Sequence, residues 1–367
     1  MTRRRPRERT ARGRSHVGER FEVEVGPVAH GGHCVARHDD RVVFVRHALP
    51  GERVVVSVTE GSEGDRFWRG DAVSVLSAST DRVTAPCPYA GPGLCGGCDF
   101  QHVTPAGQRG LKAAVVREQL SRLAGLDVEV SVEEVPPLLR WRTRMRYVAL
   151  PAGARGLHVH RSDEVVEIDD CLIDAGLPAR DSETVETSYG SKRLRVDPDG
   201  FWQSHLEAPR VLVETVLSFL APRAGEKVLD LYAGVGLFAA FLSDVVGPSG
   251  RVVAVEGSRV ACRDARSNLP ASVTVEHGPV DRVLVSAYDE PFDLVVLDPP
   301  REGARRKVVT QIVDRAPRAV AYVACDPAAL ARDLATFAEL GYGLGDLRAF
   351  DLFPMTQHVE CVALLER

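Results

Sequence analysis

The chain has 367 residues, of which 44% are hydrophobic and 26% charged, and its net charge is −5. This composition is ordinary for a globular protein and excludes collagen-like, coiled-coil and wholly disordered chains. At about 100–200 residues per domain, the length predicts two or three domains. The sequence contains no charge-free apolar run of about 18 residues and no apolar signal segment, so we expect a cytoplasmic protein without a membrane span.

The charge is unevenly distributed along the chain. Residues 1–14 contain seven Arg and one Glu, which leaves −11 on the remainder. Such a segment is typical of a disordered arm attracted to polyanions, although a solvated tail without a role is an equal alternative. We predict a basic disordered tail over residues 1–15.

Short runs of β-branched residues follow the tail, separated by Gly and Pro. They lie at 21–25, 42–45, 53–58 and 68–73. Several short strands at this spacing predict a five-stranded barrel of the OB type over residues 16–79, an architecture that often binds nucleic acid.

Residues 80–200 predict a mixed α+β central region. Apolar residues at helical spacing predict a helix from Gln108 to Gly125. Hairpin-like strands are expected at 140–150 and 156–169.

Strands and helices alternate from residue 201 to the C-terminus. A helix is predicted at 208–220, and strands are predicted at 227–231, 251–256, 292–298, 319–324 and 360–365. This alternation predicts an α/β domain whose mostly parallel sheet is covered on both faces.

The segment from Val228 to Ala239 combines a strand, a Gly-rich turn and a helix start. Gly234 and Gly236 allow a tight bend close to a ligand. Twenty residues after Gly236 the next strand ends at Glu256, whose carboxylate can accept both hydroxyls of a ribose. The pattern suits any adenosine cofactor and does not separate NAD from S-adenosylmethionine, and a tight turn without a ligand is the alternative.

Three further side chains are expected at the same sheet edge. Asp298 follows a buried strand, and Cys325 follows the next strand just before Pro327. The N–H groups at a helix N-terminus favour a thiolate, although a cysteine after a strand is often a packing residue. Glu360 begins the last strand and can act as a general base near a nucleophile.

These segments resemble the uracil-5 RNA methyltransferases, which use S-adenosylmethionine to form 5-methyluridine in tRNA or ribosomal RNA. The resemblance covers the chain from about residue 16 and rests on Gly234-Val235-Gly236, Leu297-Asp298-Pro299-Pro300-Arg301-Glu302-Gly303, Tyr322-Val323-Ala324-Cys325-Asp326-Pro327, and Phe353-Pro354 with His358-Val359-Glu360. It implies a Rossmann-like methyltransferase domain over 201–367 and identifies the barrel as a TRAM domain, a small RNA-binding module.

The resemblance also implies roles for individual residues. Cys325 would be the nucleophile that adds to C6 of uracil, which makes C5 reactive towards the methyl group, and Glu360 would remove the C5 proton. The cofactor contacts implied are Gln203, Tyr232, Gly234, Gly236, Glu256 and Asp298. The target uridine has to be flipped out or unpaired.

The sequence departs from the family pattern at three places. Ala324-Cys325-Asp326-Pro327 stands where Ser-Cys-Asn-Pro is usual, and Gly278-Pro279 stands where an acid or Asn often contacts the adenine. Met355 replaces a common His or Tyr.

Two other functions are compatible with parts of the chain. An NAD-linked oxidoreductase would use Gly234 to Glu256, but it leaves Asp298, Cys325 and Glu360 unexplained. A catalytically silent RNA-binding protein would not need the intact Cys325 and Glu360.

Three cysteines are spaced as Cys-x7-Cys-x2-Cys at Cys87, Cys95 and Cys98, and Cys171 could supply a fourth thiolate. Three close thiolates and one distant one suit a [4Fe–4S] cluster. Zinc, which favours paired Cys-x2-Cys ligands, and unliganded thiols are the alternatives. The family resembled often carries such a cluster in this position.

The segment 140–147 alternates Arg with other residues, with Arg140, Arg142, Arg144 and Arg146 at every second position. On a strand all four would share one face, where RNA phosphates would offset their repulsion, or the face is simply solvated. We expect an RNA partner, ribosomal RNA rather than tRNA, and nothing in the sequence implies a membrane or protein partner.

Overall fold

The computed structural model describes residues 13–178 and 180–367, so most of the predicted basic tail lies outside the described residues. The chain divides into two compact units. The first comprises the described residues up to 108 with 147–170 and 355–357, and the second comprises 109–146, 171–354 and 358–367. The domain boundaries stated above stay a prediction.

The strands and helices are numbered along the chain. The strands are β1 (Arg20–Glu24), β2 (Cys34–His38), β3 (Arg41–Arg46), β4 (Arg53–Glu60), β5 (Phe67–Ser77), β6 (Val132–Glu134), β7 (Val148–Ala149), β8 (Arg155–His158), β9 (Val165–Glu167), β10 (Ser182–Thr187), β11 (Gly190–Arg195), β12 (Lys227–Leu231), β13 (Arg251–Glu256), β14 (Thr274–His277), β15 (Leu294–Leu297), β16 (Ala319–Ala324), β17 (Gly343–Asp351) and β18 (Glu360–Glu366). The helices are α1 (Pro105–Ala124), α2 (Ala208–Leu220), α3 (Leu237–Val246), α4 (Arg259–Asn268), α5 (Val280–Ala287), α6 (Arg305–Asp314) and α7 (Pro327–Glu339).

The first unit contains the small β domain predicted from the sequence. Its five strands follow the order β1-β4-β5-β3-β2, and the β3–β5 pair is parallel while the others are antiparallel. Alternate residues such as Val43, Val45, Val54 and Val56 are fully buried, because successive side chains of a strand point to opposite faces. A second sheet of this unit, β7-β8-β9, is antiparallel.

The second unit contains an eight-stranded sheet with the order β14-β13-β12-β15-β16-β18-β17-β6. The first five strands of this order are parallel, and β18 runs antiparallel to both of its neighbours. Its strand residues alternate between two hydrophobic cores, one containing Val228 and Val296 and the other containing Leu229 and Val295. Residues of α2, α3 and α4 cover the first core, and residues of α1, α5, α6 and α7 cover the second. The predicted α/β class, with helices on both faces, is confirmed.

One local prediction differs from the structure. The segment 140–147 forms no strand. Within the predicted strand region 140–150, the structure has only the two-residue strand β7 at Val148–Ala149. Arg140 has a positive φ of 57°, which an extended strand does not accommodate. In the part of the chain that the structure describes, no helix has the length and apolar character needed to cross a membrane.

Candidate active site

The candidate site lies at one edge of the sheet in the second unit, where the parallel strands end. Ligands of open α/β sheets bind in the crevice beyond the carboxyl ends of the strands. β18 is antiparallel, so its first residue lies at the same edge. The predicted residues at this edge are Tyr232 and Gly234 after β12, Glu256 at the end of β13, Asp298 after β15, Cys325 after β16 and Glu360 at the start of β18.

The Gly-rich turn between β12 and α3 needs its glycines for physical reasons. Gly234 and Gly236 have positive φ values of 57° and 89°. A Cβ on Gly236 would lie 2.8 Å from Leu269 Cδ1, so a side chain there would have to displace Leu269 as well as adopt a strained φ. Gly236 is the N-cap residue of α3. The N–H groups at the start of this helix, which have no partner within the helix, therefore lie next to the Gly-rich turn.

Glu256 connects the ends of β12 and β13. Its Oε2 accepts a hydrogen bond from Gly234 N at 2.9 Å, and its Oε1 accepts one from Ser258 N at 2.6 Å. The carboxylate is thus held at the turn, and each oxygen keeps a further lone pair for a ligand.

Asp230 is a buried acid that sequence reasoning left out of the site. Its Oδ2 accepts a hydrogen bond from Ala239 N at 2.9 Å, whereas its Oδ1 has no partner among the residues described. Burial and the charges of Asp298 and Glu256 raise the pKa of Asp230 to about 7. The available signal was a charged residue inside the apolar strand 227–231.

Gln203 reaches the crevice from the loop between β11 and α2. Its Nε2 donates to Asp298 Oδ2 at 3.3 Å, which brings two of the predicted cofactor contacts together. Phe201, two residues earlier, exposes 72% of its surface. An exposed aromatic ring so close to the crevice is unusual for a packing residue, and the sequence assigned it no role.

Cys325 and Glu360 are brought together by strand register. Ala324 of β16 pairs with Cys361 of β18 in an antiparallel ladder, so the next step of that register sets Cys325 against Glu360. Pro327 begins α7 as expected, and Asp326 caps this helix by accepting a hydrogen bond from Ala329 N at 2.8 Å.

The electrostatics of the thiol are opposite to the sequence expectation. Burial and the carboxylates of Glu360 and Asp298 raise the pKa of Cys325 to about 12, against the positive charge of Arg301, which acts to lower it. The carboxylate of Asp326 takes up the helix N-terminus and also raises the pKa of the thiol. Burial and the neighbouring Asp298 raise the pKa of Glu360 well above its usual value.

Arg301 and His358 form a pair that sequence reasoning did not assign. A guanidinium nitrogen of Arg301 lies 3.2 Å from His358 Nε2. Burial and the charge of Arg301 lower the pKa of His358 to about 4, so its imidazole is neutral near pH 7 and accepts this hydrogen bond. Both residues belong to the motifs quoted above, but their contact depends on loop geometry.

The predicted metal ligands are divided between the two units. Cys87, Cys95 and Cys98 belong to the first, Cys171 belongs to the second, and none forms a disulfide. Gly97 N and Gln101 Nε2 donate to the sulfurs of Cys95 and Cys98 at 3.4 and 3.5 Å. Thiolate donors suit an iron–sulfur cluster. Within residues 13–178 and 180–367, however, no three His, Cys, Asp or Glu side chains are grouped so that they could hold a metal ion, so the residues as placed do not fit one.

The arginines of segment 140–146 do not form one charged face. Arg140 donates to Cys171 O at 2.9 Å, Arg142 donates to Arg144 O at 3.2 Å, and Arg144 donates to carbonyl oxygens of the loop 197–200. The prediction that all four guanidinium groups share one face of a strand is therefore wrong. Arg140 and Arg146 are exposed, whereas Arg142 and Arg144 are partly buried.

Comparison with protein families separates the chain into three matched regions. Residues 14–73 match the TRAM domain, residues 206–322 match the methyltransferase small domain, and residues 281–367 match the tRNA (uracil-5-)-methyltransferase family. The last region contains Asp298, Cys325 and Glu360.

Comparison with individual proteins gives matches over almost the whole chain. Uncharacterized RNA methyltransferases of Streptomyces avermitilis and Streptomyces coelicolor are each 46% identical, over 95% and 96% of this chain and 99% and 94% of theirs. The crystal structure of Pyrococcus abyssi tRNA (uracil-54, C5)-methyltransferase with S-adenosyl-L-homocysteine has the same fold, with a TM-score of 0.68, 22% identity and coverage of 93% of this chain and 99% of that one. The chain therefore belongs to the S-adenosylmethionine-dependent RNA methyltransferases, in the tRNA (uracil-5-)-methyltransferase family that the sequence resembles.

Proposed function

We propose that this enzyme methylates C5 of a uridine in RNA through a transient bond between Cys325 Sγ and C6 of the base. The observation that carries the proposal is the register of β16 and β18, which sets a thiol against a buried carboxylate at the edge where Asp298 and the Gly-rich turn also lie. One thiol, one carboxylate and a methyl donor suffice for this chemistry.

The first step is addition of sulfur to the base. The thiolate is the reactive form, so the proton of Cys325 is released to solvent water before the sulfur electron pair forms the bond to C6. The C5=C6 electron pair moves into the ring carbonyl, giving an enolate whose C5 is nucleophilic. Arg301, which lowers the pKa of Cys325, favours the charged thiolate.

The second stage is methyl transfer and release. When bound, S-adenosylmethionine would supply an electrophilic methyl group. C5 of the base would form a bond to that carbon as the bond from the methyl carbon to the sulfonium sulfur breaks, leaving S-adenosyl-L-homocysteine. Glu360 then accepts the C5 proton, the electron pair of that C–H bond restores C5=C6, and Cys325 leaves C6 as a thiolate. The raised pKa of Glu360 makes its carboxylate a stronger base than an exposed one.

The proposed cofactor contacts lie on one crevice. Gly234 and Gly236 allow the backbone to approach the ligand, and Glu256 suits the ribose hydroxyls. Gln203 and Asp298 are hydrogen-bonded to each other, and Tyr232 begins the turn with a positive φ of 62°.

RNA binding is supported by the TRAM match over residues 14–73 and by Phe201. A base flipped out of its stack gains stability from an aromatic surface. The sequence prediction favours ribosomal RNA, whereas the Pyrococcus abyssi enzyme is named for uracil-54 of tRNA.

The deciding experiment uses RNA from a strain that lacks the gene. Purified enzyme is incubated with methyl-labelled S-adenosylmethionine and with ribosomal RNA or tRNA, and nucleosides are identified by mass spectrometry. We expect label in 5-methyluridine from ribosomal RNA. Label on another base, or none, would contradict the proposed reaction, and label confined to tRNA would contradict the ribosomal preference only.

We also propose that Cys87, Cys95 and Cys98 bind a [4Fe–4S] cluster, with Cys171 as the fourth ligand predicted from the sequence. The support is the Cys-x7-Cys-x2-Cys spacing in the sequence. Among the described residues these side chains are not grouped to hold a metal ion, so cluster binding would have to bring them together. No step of methyl transfer passes through the cluster. The cytoplasmic location stays a prediction.

A further inference from the structure

The segment that follows Trp141 makes an unusual set of contacts with the loop preceding α2. Both belong to the second unit. If residues 140–147 formed a strand, the guanidinium groups of its arginines would lie on one surface. Arg144 is instead only partly exposed, and its guanidinium donates to main-chain oxygens.

Arg144 fastens the first half of this loop. One terminal nitrogen of its guanidinium donates to Asp197 O at 3.1 Å, to Pro198 O at 3.2 Å and to Gly200 O. Arg is permanently charged and carries several donors in a rigid plane, so it is suited to hold converging carbonyl groups.

Thr143 fastens the second half. Its N donates to Ser204 O at 2.8 Å, and its hydroxyl donates to Gln203 O at 3.0 Å and to Ser204 O at 3.2 Å. The main-chain carbonyl of Gln203 is thus held by Thr143, and the side chain of the same residue contacts Asp298.

The start of the loop is fixed from the opposite side by α4. Asp264 Oδ2 accepts a hydrogen bond from Asp197 N at 2.9 Å, and Arg263 contacts the Asp197 carboxylate at 3.1 Å. The loop is therefore anchored at both ends, and removal of Arg144 would free the part between Asp197 and Gln203.

We infer that Arg144 and Thr143 are positioning residues. Together they form a clamp that fixes the loop 197–204 and so places Gln203 against Asp298. This inference rests on the proposed function, because it assigns the loop to the cofactor crevice. It differs from the phosphate-binding role that the Arg alternation suggested. Loss of the clamp lowers cofactor affinity and leaves the salt dependence of RNA binding unchanged.

The first test needs no cofactor. Hydrogen exchange of the full-length chain is compared for the wild type, Arg144→Gln and the exposed neighbour Arg146→Gln. Arg144→Gln should speed exchange of the amides between Asp197 and Gln203, including Gly200 N, which donates to Asp197 O at 2.8 Å. Asp197 N, which donates to Asp264, and the amides of β12 should stay protected. Unchanged exchange in 197–204, or equal acceleration by Arg146→Gln, would overturn the clamp.

The second test measures S-adenosyl-L-homocysteine binding by calorimetry and the Michaelis constant for S-adenosylmethionine. Arg144→Gln should weaken binding about tenfold, equivalent to about 1.4 kcal/mol. Arg144→Lys should recover part of the loss, because an ammonium keeps the charge without the planar donors. The Michaelis constant should rise more than kcat falls.

Thr143 provides an isosteric control. Thr143→Val removes the hydroxyl at nearly constant volume, and Thr143→Ser retains it, so only the valine variant should weaken cofactor binding. Equal behaviour of the two variants would overturn the role of the hydroxyl. If Arg144→Gln instead lowers the slope of log affinity for RNA against log salt by about one, Arg144 is a phosphate contact and the clamp is wrong.

The proposed function and this inference fail separately. If wild-type protein binds no S-adenosyl-L-homocysteine, the cofactor assignment is wrong whatever the exchange data show. If it binds normally and Arg144→Gln binds equally well, the assignment stands and the positioning role is wrong.

Discussion

Burial and neighbouring negative charges oppose ionisation of the Cys325 thiol. Its burial and the carboxylates of Glu360 and Asp298 raise its pKa to about 12, whereas Arg301 acts in the other direction. A resting thiol of this kind is protected from adventitious alkylation and oxidation, because both proceed through the thiolate. Reactivity then depends on groups that arrive with the substrate.

We expect Cys325→Ala to reduce methylation by at least about a thousandfold, since the variant lacks the sulfur that is proposed to form the bond to C6. The melting temperature should stay close to that of the wild type, because the side chain is small and lies at the crevice. Methyl incorporation into RNA and a thermal melt measure the two effects. Cys34→Ala is the matched control, since Cys34 is buried in the β domain and donates to Ala48 O at 3.3 Å, so it should retain methylation. Turnover by Cys325→Ala would exclude it as the nucleophile.

Glu360→Gln should stop the reaction after methyl transfer. Glutamine keeps the size of the side chain but cannot take the C5 proton, so Cys325 stays bonded to C6 and the protein–RNA adduct accumulates. A denaturing gel with labelled RNA would show the adduct as a slow band that is missing in the double variant with Cys325→Ala. A Glu360→Gln protein that turns over without accumulating adduct would assign the base elsewhere.

Asp230 makes stability depend on pH in a defined direction. Its pKa is raised to about 7 by burial, so between about pH 4 and 7 the folded protein holds a proton that the unfolded chain releases. The free energy of unfolding therefore falls as pH rises through this window and levels off above it. Asp230→Asn removes this titration, and its side-chain oxygen still accepts from Ala239 N.

Urea unfolding at pH 5.5 and pH 8 tests this prediction. The wild type should lose stability between the two values, at about 1.4 kcal/mol for each pH unit over which the proton is released. The asparagine variant should lose less. Equal losses in the two proteins would show that Asp230 is ionised in the folded state.

At the scale of elements, apolar runs predicted the central strands well. Lys227–Leu231 and Ala319–Ala324 were predicted with their observed bounds, because continuous buried apolar runs identify strands covered on both faces. β14 and β17 carry mixed polar residues, so they were missed. The segment 140–147 alternates like a strand, yet hydrogen bonds of its arginines to main-chain oxygens decide its course. Such long-range contacts leave no local pattern.

The same scale explains which site residues were recoverable from the sequence. The edge that gathers Glu256, Asp298 and Cys325 follows from parallel strand order, and Glu360 follows once the last strand is antiparallel. The Arg301–His358 pair and the direction of the Cys325 pKa shift depend on burial and loop packing. Neither can be predicted from the spacing of residues in the sequence.

The turn between β12 and α3 is sensitive to a single added methyl group at Gly236. Gly236→Ala combines a positive φ of 89° with a Cβ 2.8 Å from Leu269 Cδ1, and we expect it to cost about 1–3 kcal/mol of stability. Cofactor binding should fall with it, because the backbone of the turn has to move. Gly257→Ala, next to Glu256 but in open space and without a positive φ, is the control.

Chemical denaturation and S-adenosyl-L-homocysteine titration distinguish the two glycine variants. Gly257→Ala should resemble the wild type in both measurements. If Gly236→Ala also binds and unfolds like the wild type, the turn is more adaptable than its geometry indicates.

At the scale of the whole molecule, chain connectivity joins the two units repeatedly, since residues 147–170 and 355–357 belong to the first while their flanking segments belong to the second. The predicted cluster ligands follow the same division, with Cys171 one residue beyond the 147–170 segment. Because a cluster that binds only the folded protein adds its binding free energy to the stability of the fold, cluster binding should raise the melting temperature.

Anaerobic purification should consequently yield protein with absorbance near 400 nm, about four iron atoms per chain and a melting temperature above that of the iron-free form. Cys98→Ser should lower iron content and melting temperature together, because an alcohol is a poor ligand for the cluster. Cys262→Ser is the control: this thiol is buried in the second unit and donates to Glu256 O at 3.3 Å, so its loss should leave iron content unchanged. Colourless, iron-free protein that methylates RNA would show that methylation does not need a cluster at the four cysteines. Equal loss of iron in the Cys98→Ser and Cys262→Ser variants would show that iron is bound nonspecifically.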